Sequence, residues 1–387
     1  MKSVNKLLIY FVALFVVSCV NPTDMLTVIN PDGSCYREFT ANANPAFLLG
    51  DTTAKLNPFP VDIDSTWNIT WKFRNSECFT QFPARKSTID SIVTSIKSKE
   101  KPSIGKEKKS DDFFVQARKN YSTVEEMGVK FKLNRSHEWS NMKVKYELEK
   151  KFRWFYTYYT YRETYPKIKL NFEIPIDKYM TKDEAQFWFT GKPNILQGMN
   201  GIEIREYAGD LEDKYNKWFA HNNWNNEYKV LVDNYDQMNN KPVTKERLEL
   251  LKDTIFNANS KDLPDFNMEK CLNNYFKTKG FSIFWKNKDS PLEKFEKDFD
   301  EQDFVRYFKE AFTYRLIMPG EVTQPDNVTI QGDTLIWKLT SYRMIYDDYT
   351  IEAQSRKANI WAFILSGIIV VLAIGSFIWK PRKRKNY

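Results

Sequence analysis

The sequence is poor in the residues that build metal centres and disulfide-rich scaffolds. Its 387 residues include only four cysteines and two histidines, too few for a small disulfide-dense fold or a histidine-rich metal site. With 13 glycines and 16 prolines, the chain is neither a collagen-like fibre nor a low-complexity disordered protein. We expect no metal ion and no cofactor, and the length allows one large or two ordinary folded domains.

Sequence motifs for catalysis are also missing. The chain has no glycine-rich phosphate loop and no Gly-x-Ser-x-Gly sequence of a serine hydrolase. His137 and His221 stand alone in the sequence, and we expect them on the surface rather than acting as catalytic bases. Carboxylates are close together at Asp347-Asp348 and in the run Glu296, Asp298 and Asp300. Charged helix faces and turns commonly produce such groups, so we assign no catalytic residue.

The excess of positive charge lies at the two ends of the chain. Of the 58 Lys and Arg residues, two lie within residues 1–18 and five within 380–385. Neither end has an acidic residue, so residues 19–357 hold 51 basic groups against 50 acidic groups. A domain that binds nucleic acid would itself carry the surplus. We therefore expect no nucleic-acid partner.

The N-terminus predicts a secretory signal of the lipoprotein type. Lys2 and Lys6 precede an apolar run of eleven residues, 7–17, which is too short to span a bilayer. The sequence Val16-Val17-Ser18-Cys19 resembles the lipobox of bacterial lipoproteins. This resemblance implies that residues 1–18 are removed and that Cys19, now the first residue, carries a diacylglycerol. The alternatives are an ordinary signal peptide with a coincidental cysteine, or an uncleaved N-terminal anchor.

A membrane segment is predicted near the C-terminus. Residues 360–379 form an uncharged stretch of twenty residues, which is the length that a helix needs to cross a bilayer. Trp361 and Trp379 stand at its two ends, where indole rings prefer the headgroup region. We predict a transmembrane helix over residues 359–380. The alternative is a C-terminal helix buried in the protein.

The basic tail sets the predicted orientation of this helix. Residues 381–387 contain four cations and follow Lys380 directly, and such clusters lie on the cytoplasmic side of membranes. The N-terminal signal is expected to direct the residues between it and this helix across the membrane. We therefore expect residues 19–358 to form an extracytoplasmic, or periplasmic, domain at the outer face of the cytoplasmic (inner) membrane.

The first part of this domain has the pattern of strands. Two short strands flank a turn at residues 30–34, and residues 67–73 alternate apolar with polar side chains. Residues 86–111 are highly charged and poor in large apolar groups, which predicts a mobile surface segment. A single long strand, dense in aromatic residues, is predicted over residues 144–165.

The following residues change to a helical period and then return to strands. Helix starts are expected near Ser122, Thr181 and Thr244, and apolar residues recur at helical spacing from Ile204 onward. Strand patterns resume after residue 312. We predict an α+β fold in which the N- and C-terminal strands pair in one antiparallel sheet, with a helical insertion at about 175–312.

The aromatic residues of the 144–165 segment are a candidate binding surface. Exposed tyrosine and tryptophan rings stack on sugars or line grooves for acyl chains. The residues that we assign to this surface are Trp154, Tyr156, Tyr158 and Tyr161. The alternative is that these rings pack in the core against the helices.

The cysteines allow one cross-link within the domain. Cys35 and Cys78 both lie in the N-terminal strand region, and an oxidising exterior permits a disulfide between them. Spacing in the sequence does not decide whether the bridge forms, because that depends on the distance between the two Cα atoms. Cys271 is expected to be a buried apolar residue of a helix.

Several segments together resemble the LppM-type bacterial lipoproteins. They are the lipobox, the turn at 30–34, the sequence Met318-Pro319-Gly320-Glu321-Val322, the segment 332–337, and the final helix with its basic tail. The resemblance implies an envelope protein with a lipid-associated α+β ectodomain. It covers only the two ends of the chain, so it implies nothing for residues 175–312 and transfers no binding residue.

Two hypotheses for function follow from the sequence. The first is a non-enzymatic envelope lipoprotein, anchored by lipid and by one helix, whose ectodomain binds a partner protein or lipid beside the membrane. The alternative is a membrane-bound hydrolase acting on envelope glycan or lipid, whose carboxylates converge only in the folded chain.

Overall fold

The computed structural model describes residues 23–53, 55–98, 113–133, 142–168, 172–237, 241–260, 267–286, 290–292, 294, 311–324 and 328–378. The chain divides into two compact units. We call the first the strand unit; its described residues lie within Thr23–Tyr165, Phe312–Lys338 and Thr350–Tyr387. The second, the helical unit, has its described residues within Pro166–Ala311 and Leu339–Tyr349.

The strands form two sheets. They are β1 (Thr23–Ile29), β2 (Cys35–Asn42), β3 (Asn68–Phe73), β4 (Phe113–Tyr121), β5 (Lys145–Phe152), β6 (Tyr156–Tyr165), β7 (Ala311–Ile317), β8 (Glu321–Gln324), β9 (Thr329–Gln331), β10 (Thr334–Thr340) and β11 (Tyr349–Ala358). The larger sheet has the order β3-β4-β2-β1-β7-β10-β9, and the smaller has the order β5-β6-β11-β8. The fold is therefore mixed α+β with a large, mainly antiparallel sheet.

The predicted pairing of early and late strands is correct only in outline. Strands β1 and β7 are neighbours, but they run parallel, with Met25 opposite Tyr314, and the strands are divided between two sheets rather than one. Since β1 and β7 are far apart in the sequence, no tight turn forces them to be antiparallel. Tight turns do join antiparallel pairs elsewhere, as in the hairpin of β1 and β2.

Local sequence explains the elements that were predicted correctly. In the turn between β1 and β2, Gly33 adopts a φ of 101° and the backbone N–H of Ser34 donates to Asp32 Oδ1 at 2.9 Å. In β3, Ile69, Trp71 and Phe73 are buried, as the alternation predicts.

Among the residues that the structure describes, four helices belong to the strand unit. They are α1 (Pro45–Leu48), α2 (Lys86–Lys97), α3 (Val124–Lys130) and the C-terminal α9 (Ile360–Ile378). Helix α3 confirms the predicted start, because its N-cap Thr123 accepts a hydrogen bond from the backbone N–H of Glu126. Helix α2 contradicts the prediction of a mobile segment for residues 86–97, since Ile89 gives it a buried contact; residues 99–111 lie outside the described residues.

The segment 144–165 is a hairpin rather than one long strand. Strands β5 and β6 pair in antiparallel fashion, with Tyr146 opposite Glu163. The turn is closed by two backbone hydrogen bonds, from Arg153 N to Tyr156 O at 2.8 Å and from Tyr156 N to Arg153 O at 3.1 Å. The turn residues Arg153-Trp154-Phe155 include no Gly, Pro, Asn or Asp, so the sequence has no turn signal there.

The helical unit contains five helices among its described residues. They are α4 (Lys182–Thr190), α5 (Gly201–Asp233), α6 (Lys245–Asn259), α7 (Met268–Tyr275) and α8 (Ile283–Lys286). The predicted starts at Thr181 and Thr244 are confirmed, and Thr181 forms a complete capping box with Glu184. Two aromatic-rich clusters bury the inner faces of the helices, and Cys271 is buried in one of them, as predicted.

Candidate functional site

Helix α9 is long and apolar, and the protein leaves it uncovered. Among the described residues, Ile360–Phe377 is the one stretch long and apolar enough to cross a membrane. Most of its large side chains are exposed, including Leu372 and Phe377, and Ala362 is its one fully buried described residue. Exposed apolar surface of this extent on a folded protein marks a site of contact with a membrane or another protein.

The tip of the β5–β6 hairpin packs on the first turns of α9. We define the hairpin tip as residues 152–155. Phe152 stacks on Trp361 with ring centroids 6.3 Å apart, and Trp154 meets the same indole edge-on at 5.4 Å. Phe155 contacts Phe363 at 4.7 Å. These aromatic contacts join the hairpin tip to the start of the helix.

Asn359, the residue before α9, binds the turn of the hairpin. Its side-chain amide donates to the carbonyl oxygens of Arg153 at 2.8 Å and Trp154 at 3.1 Å, and it accepts a hydrogen bond from Thr157 Oγ1 at 2.9 Å. The backbone N–H of Asn359 donates to Phe155 O at 2.9 Å. One residue therefore binds all three turn carbonyls, which fixes where the helix leaves the sheet.

Trp154 connects the tip to a point further along the helix. Its indole Nε1 donates to Ser366 Oγ at 2.8 Å. Ser366 lies six residues beyond Ile360, or about 9 Å along the helix axis. Even with these contacts, Phe152 is 60% exposed and Trp154 43% exposed. The tip therefore runs alongside the helix and presents an apolar surface continuous with it.

Cations adjoin the hairpin tip and α9 in the sequence. Lys150, Lys151, Arg153 and Lys357 are exposed. The guanidinium of Arg153 lies 5.4 Å from the ring centroid of Tyr158, and Lys151 Nζ lies 3.2 Å from the carboxylate of Glu149. Tyrosines and long basic side chains combine an apolar body with a polar end, which suits them to a boundary between apolar and aqueous surroundings.

The predicted binding surface is divided by the structure. Trp154 lies in the hairpin tip, and Tyr156 and Tyr158 are half-buried on one face of β6. Tyr161 is fully buried on the opposite face, together with Tyr159 and Tyr165, so it cannot belong to an exposed surface. The prediction missed Phe152, Asn359 and Ser366; the available signal was the Asn directly before the apolar run, a residue type that favours helix starts.

The fully buried face of β6 contains an ion pair between the two sheets. Arg37 of β2 and Glu163 of β6 both have 0% side-chain exposure, and their closest atoms are 2.8 Å apart. Arg37 Nη1 also donates to the second carboxylate oxygen at 3.2 Å, and its Nε donates to Thr27 Oγ1 at 3.1 Å. Three tyrosine hydroxyls donate to the same carboxylate: Tyr161, Tyr165 and Tyr314.

These contacts keep the carboxylate charged. Burial by itself raises the pKa of Glu163, but the charge of Arg37 and the hydrogen bonds from Arg37 and the tyrosines outweigh burial, so the pKa of Glu163 is lowered. Burial raises the pKa of Tyr161 and of Tyr165 well above the ordinary value, so both hydroxyls remain donors. Both carboxylate oxygens of Glu163 accept hydrogen bonds, and the side chains of Arg37 and Glu163 are fully buried. The network is therefore a structural link between the sheets.

The two cysteines proposed for a disulfide are separate in the structure. Cys35 and Cys78 are both free; the first is buried and the second is exposed. Cys35 Sγ lies 3.7 Å from Thr123 O and 4.0 Å from Met127 Sδ, and burial raises its pKa to about 11. The structure therefore contradicts the candidate bridge, because β2 directs Cys35 into the core beneath α3. Cys19 lies outside the described residues.

His221 is buried in the helical unit, so its expected surface position is wrong. Its ring stacks on Phe256 at 4.2 Å, and its Nδ1 is 2.7 Å from the hydroxyl of Tyr179. The other ring nitrogen is 3.5 Å from Asp253 Oδ1, at the outer limit for a hydrogen bond. Burial lowers the pKa of His221 more than Asp253 raises it. His137 lies outside the described residues.

The neighbouring carboxylates proposed from the sequence have local partners. Asp347 Oδ1 accepts from the backbone N–H of Asp348 at 2.8 Å, and its Oδ2 accepts from Gln186 Nε2 at 3.2 Å. Asp348 Oδ1 accepts from the backbone N–H of Lys167 at 2.8 Å. This geometry stabilises a loop of the helical unit. Glu296, Asp298 and Asp300 lie outside the described residues.

Comparisons with known proteins give no relative for this chain. No protein-family model, no curated protein and no solved structure matches it.

Proposed function

We propose that the protein is a non-enzymatic envelope lipoprotein of bacteria, held at the outer face of the cytoplasmic membrane, whose ectodomain binds a partner protein or lipid there. The single observation that supports this best is the uncovered helix α9 together with the hairpin tip that is bonded to it. A helix that belonged to a soluble core would bury its apolar side chains against the rest of the protein.

The proposed topology has three parts. Residues 1–18 are the lipoprotein signal, with Cys19 lipidated; α9, within 359–380, crosses the membrane; and the basic residues 381–387 lie in the cytoplasm. The diacylglycerol of Cys19 would supply two acyl chains, and a spanning helix is effectively permanent, so the two anchors would act together. The protein would therefore remain in the cytoplasmic membrane rather than being released from it.

We also propose that residues 175–312 are a helical insertion in a strand fold. The chain leaves the strand unit after β6, forms α4 to α8, and returns as β7, which pairs with β1. Strand β7, the first strand after these helices, is thus a neighbour of β1 in the larger sheet, and the described helices α4 to α8 fall within a separate compact unit. We assign the partner-binding surface of the ectodomain to this helical unit.

Within the described part of the chain, no observation favours the alternative of a hydrolase. Catalysis of glycoside hydrolysis needs two carboxylates that converge on one substrate site. Asp347 and Asp348 instead accept hydrogen bonds from neighbouring backbone and side-chain groups. Glu163 is charged and fully enclosed by Arg37 and the tyrosines.

Membrane extraction tests the proposed anchoring. With residues 1–19 replaced by a secretory signal that is cleaved without lipidation, the protein should remain in the membrane pellet after alkaline carbonate, whereas Ile369→Lys with Val370→Lys in the same background should release the ectodomain, because each central charge costs about 3 kcal/mol on insertion. Val129→Lys with Leu250→Lys is the matched control, since both of those apolar side chains are exposed outside α9. Release by carbonate of the protein with unchanged α9 in this background would contradict the proposal.

The lipid anchor needs a separate test. Globomycin blocks the signal peptidase of lipoproteins, so treated cells should accumulate a precursor that still contains residues 1–18. A Cys19→Ala variant should show the same uncut form without the drug. Unchanged mobility under globomycin would remove the claim of lipidation and leave the claim about α9 intact.

A further inference from the structure

We infer that the hairpin tip inserts into the outer leaflet of the membrane, at the boundary between phospholipid headgroups and acyl chains. This inference rests on the proposed function, since it requires α9 to cross that membrane. It adds a second element of membrane contact, within the ectodomain itself, and assigns phospholipid as the ligand of the aromatic residues 152–155.

The position of Trp154 along α9 indicates how deep the hairpin tip lies in the membrane. The uncharged stretch from residue 360 to residue 379 has the length, about 30 Å as a helix, of the hydrocarbon that a span must cross. Ile360 must therefore lie close to the outer edge of the hydrocarbon. Trp154 bonds to Ser366, about 9 Å further along the axis. The indole of Trp154 then lies at or below the headgroup level.

The side chains of the tip suit this depth. Phe152, Trp154 and Phe155 are all exposed, and they form one apolar surface with Trp361. Aromatic side chains, tryptophan above all, are enriched at the interface between membrane and water. In water such a continuous apolar patch would favour aggregation; in the outer leaflet it is covered by lipid.

Most backbone polar groups of the tip have hydrogen-bond partners within the protein, which lowers the cost of removing them from water. Turns are normally excluded from lipid because their unpaired N–H and C=O groups are costly there. Here the carbonyls of Arg153, Trp154 and Phe155 all accept hydrogen bonds from Asn359. The N–H groups of Arg153 and Tyr156 are paired across the turn. The tip therefore enters the interface at a much lower cost than an ordinary turn.

The charges around the tip favour a phospholipid surface over another protein. Arg153 belongs to the tip and Lys357 precedes α9 by three residues, and both are exposed. Their long side chains can reach phosphate groups while the rings enter the acyl region. Basic residues next to a membrane surface attract anionic lipids. We expect the tip to prefer anionic phospholipids for this reason.

Site-directed spin labelling of the full chain tests the depth directly. The background variant is Cys78→Ser, because Cys78 is the exposed thiol whereas Cys35 and Cys271 are buried. Nitroxides are placed separately at Phe152→Cys, at Lys145→Cys on the same strand about 24 Å away, and at Ile369→Cys within α9. Each protein is reconstituted in vesicles of phosphatidylethanolamine and phosphatidylglycerol, and relaxation by oxygen is compared with relaxation by a water-soluble nickel chelate.

The expected result is that the label at residue 152 lies between the other two: its oxygen relaxation is several-fold stronger and its nickel relaxation weaker than at 145, whereas the label at 369, near the middle of the bilayer, has the strongest oxygen and the weakest nickel relaxation. A label at 152 that resembles the one at 145 would overturn the inference, as would a label shielded from both reagents, which would show that a protein covers the tip. Phe155→Cys provides a second label if Phe152→Cys fails to fold. If the label at 369 is open to nickel, the proposed function itself fails.

Discussion

At the scale of single residues, the strongest constraint is the buried pair of Arg37 and Glu163. Removing two ions from water costs several kcal/mol each, and only close contact with full hydrogen bonding recovers that cost. Both conditions are met, with a 2.8 Å contact and tyrosine donors on the carboxylate. Because the pair joins β2 to β6, it specifies which strands of the two sheets face each other.

Removing one charge of this pair should be far more costly than removing an exposed one. Glu163→Gln should destabilise the strand unit by about 3–5 kcal/mol, because Arg37 remains buried without a counter-charge. The matched control is Glu352→Gln, which breaks the partly exposed pair with Arg162 at the same 2.8 Å distance and should cost less than about 1 kcal/mol. Denaturant unfolding in detergent micelles measures both, and equal effects would contradict the structural role of Glu163.

His221 should make the helical unit sensitive to mild acid. Burial lowers its pKa from the ordinary value of 6.5, so the unfolded chain takes up a proton at a higher pH than the folded one does. Its contribution to stability is complete above pH 6.5 and is lost as the pH falls through the folded pKa. His221→Phe should flatten this dependence, measured by thermal unfolding between pH 7.5 and 5. A slope unchanged in the variant would assign the effect to another group.

At the scale of secondary structure, the sequence was informative wherever a local signal exists. The capping residues Thr181 and Thr244, the turn at Gly33 and the alternation of β3 predicted elements that the structure confirms. These elements are specified by interactions within a few residues of one another, which a linear pattern displays directly.

Features that depend on distant residues could not be predicted in this way. The β5–β6 turn has no turn-forming residue, and its carbonyls are paired by Asn359, some 200 positions later in the chain. Likewise, no pattern in the sequence around Arg37 indicates that Glu163 is its partner. The parallel pairing of β1 with β7 depends on the path of the residues between the two strands. The candidate site was predicted only through Trp154 and through Tyr156, whose ring meets Phe363 of α9 edge-on at 5.8 Å. Its other members act through such long-range contacts.

Asn359 should determine how firmly the hairpin tip is held to α9. Asn359→Ala removes two donated hydrogen bonds, worth about 1 kcal/mol each, so amide hydrogen exchange at residues 153–157 should accelerate by about one order of magnitude or more. Ser376→Ala is the control, because that hydroxyl bonds only to Ala373 O within the helix, and exchange at the tip should not change. Identical exchange in the Asn359→Ala variant would mean that the aromatic contacts alone hold the tip.

At the scale of the whole molecule, the proposed ectodomain is fixed to one membrane by several independent elements. The strand unit contains α9 and the hairpin tip, and the proposed lipid at Cys19 lies four residues before β1 in the sequence. Helices α4 to α8 lie in the helical unit. Membrane contact and partner binding would thus be assigned to different parts of the chain. Because of this division, membrane anchoring can be tested separately from partner binding.

The orientation of α9 is the central claim, and protease protection of a C-terminal tag tests it most directly. A peptide tag placed after Tyr387 should resist protease added to intact spheroplasts and should be digested once the membrane is opened, because the basic tail is expected in the cytoplasm. The ectodomain of the same molecules should be cut in both conditions. Digestion of the tag in intact spheroplasts would contradict the topology and every assignment that depends on it.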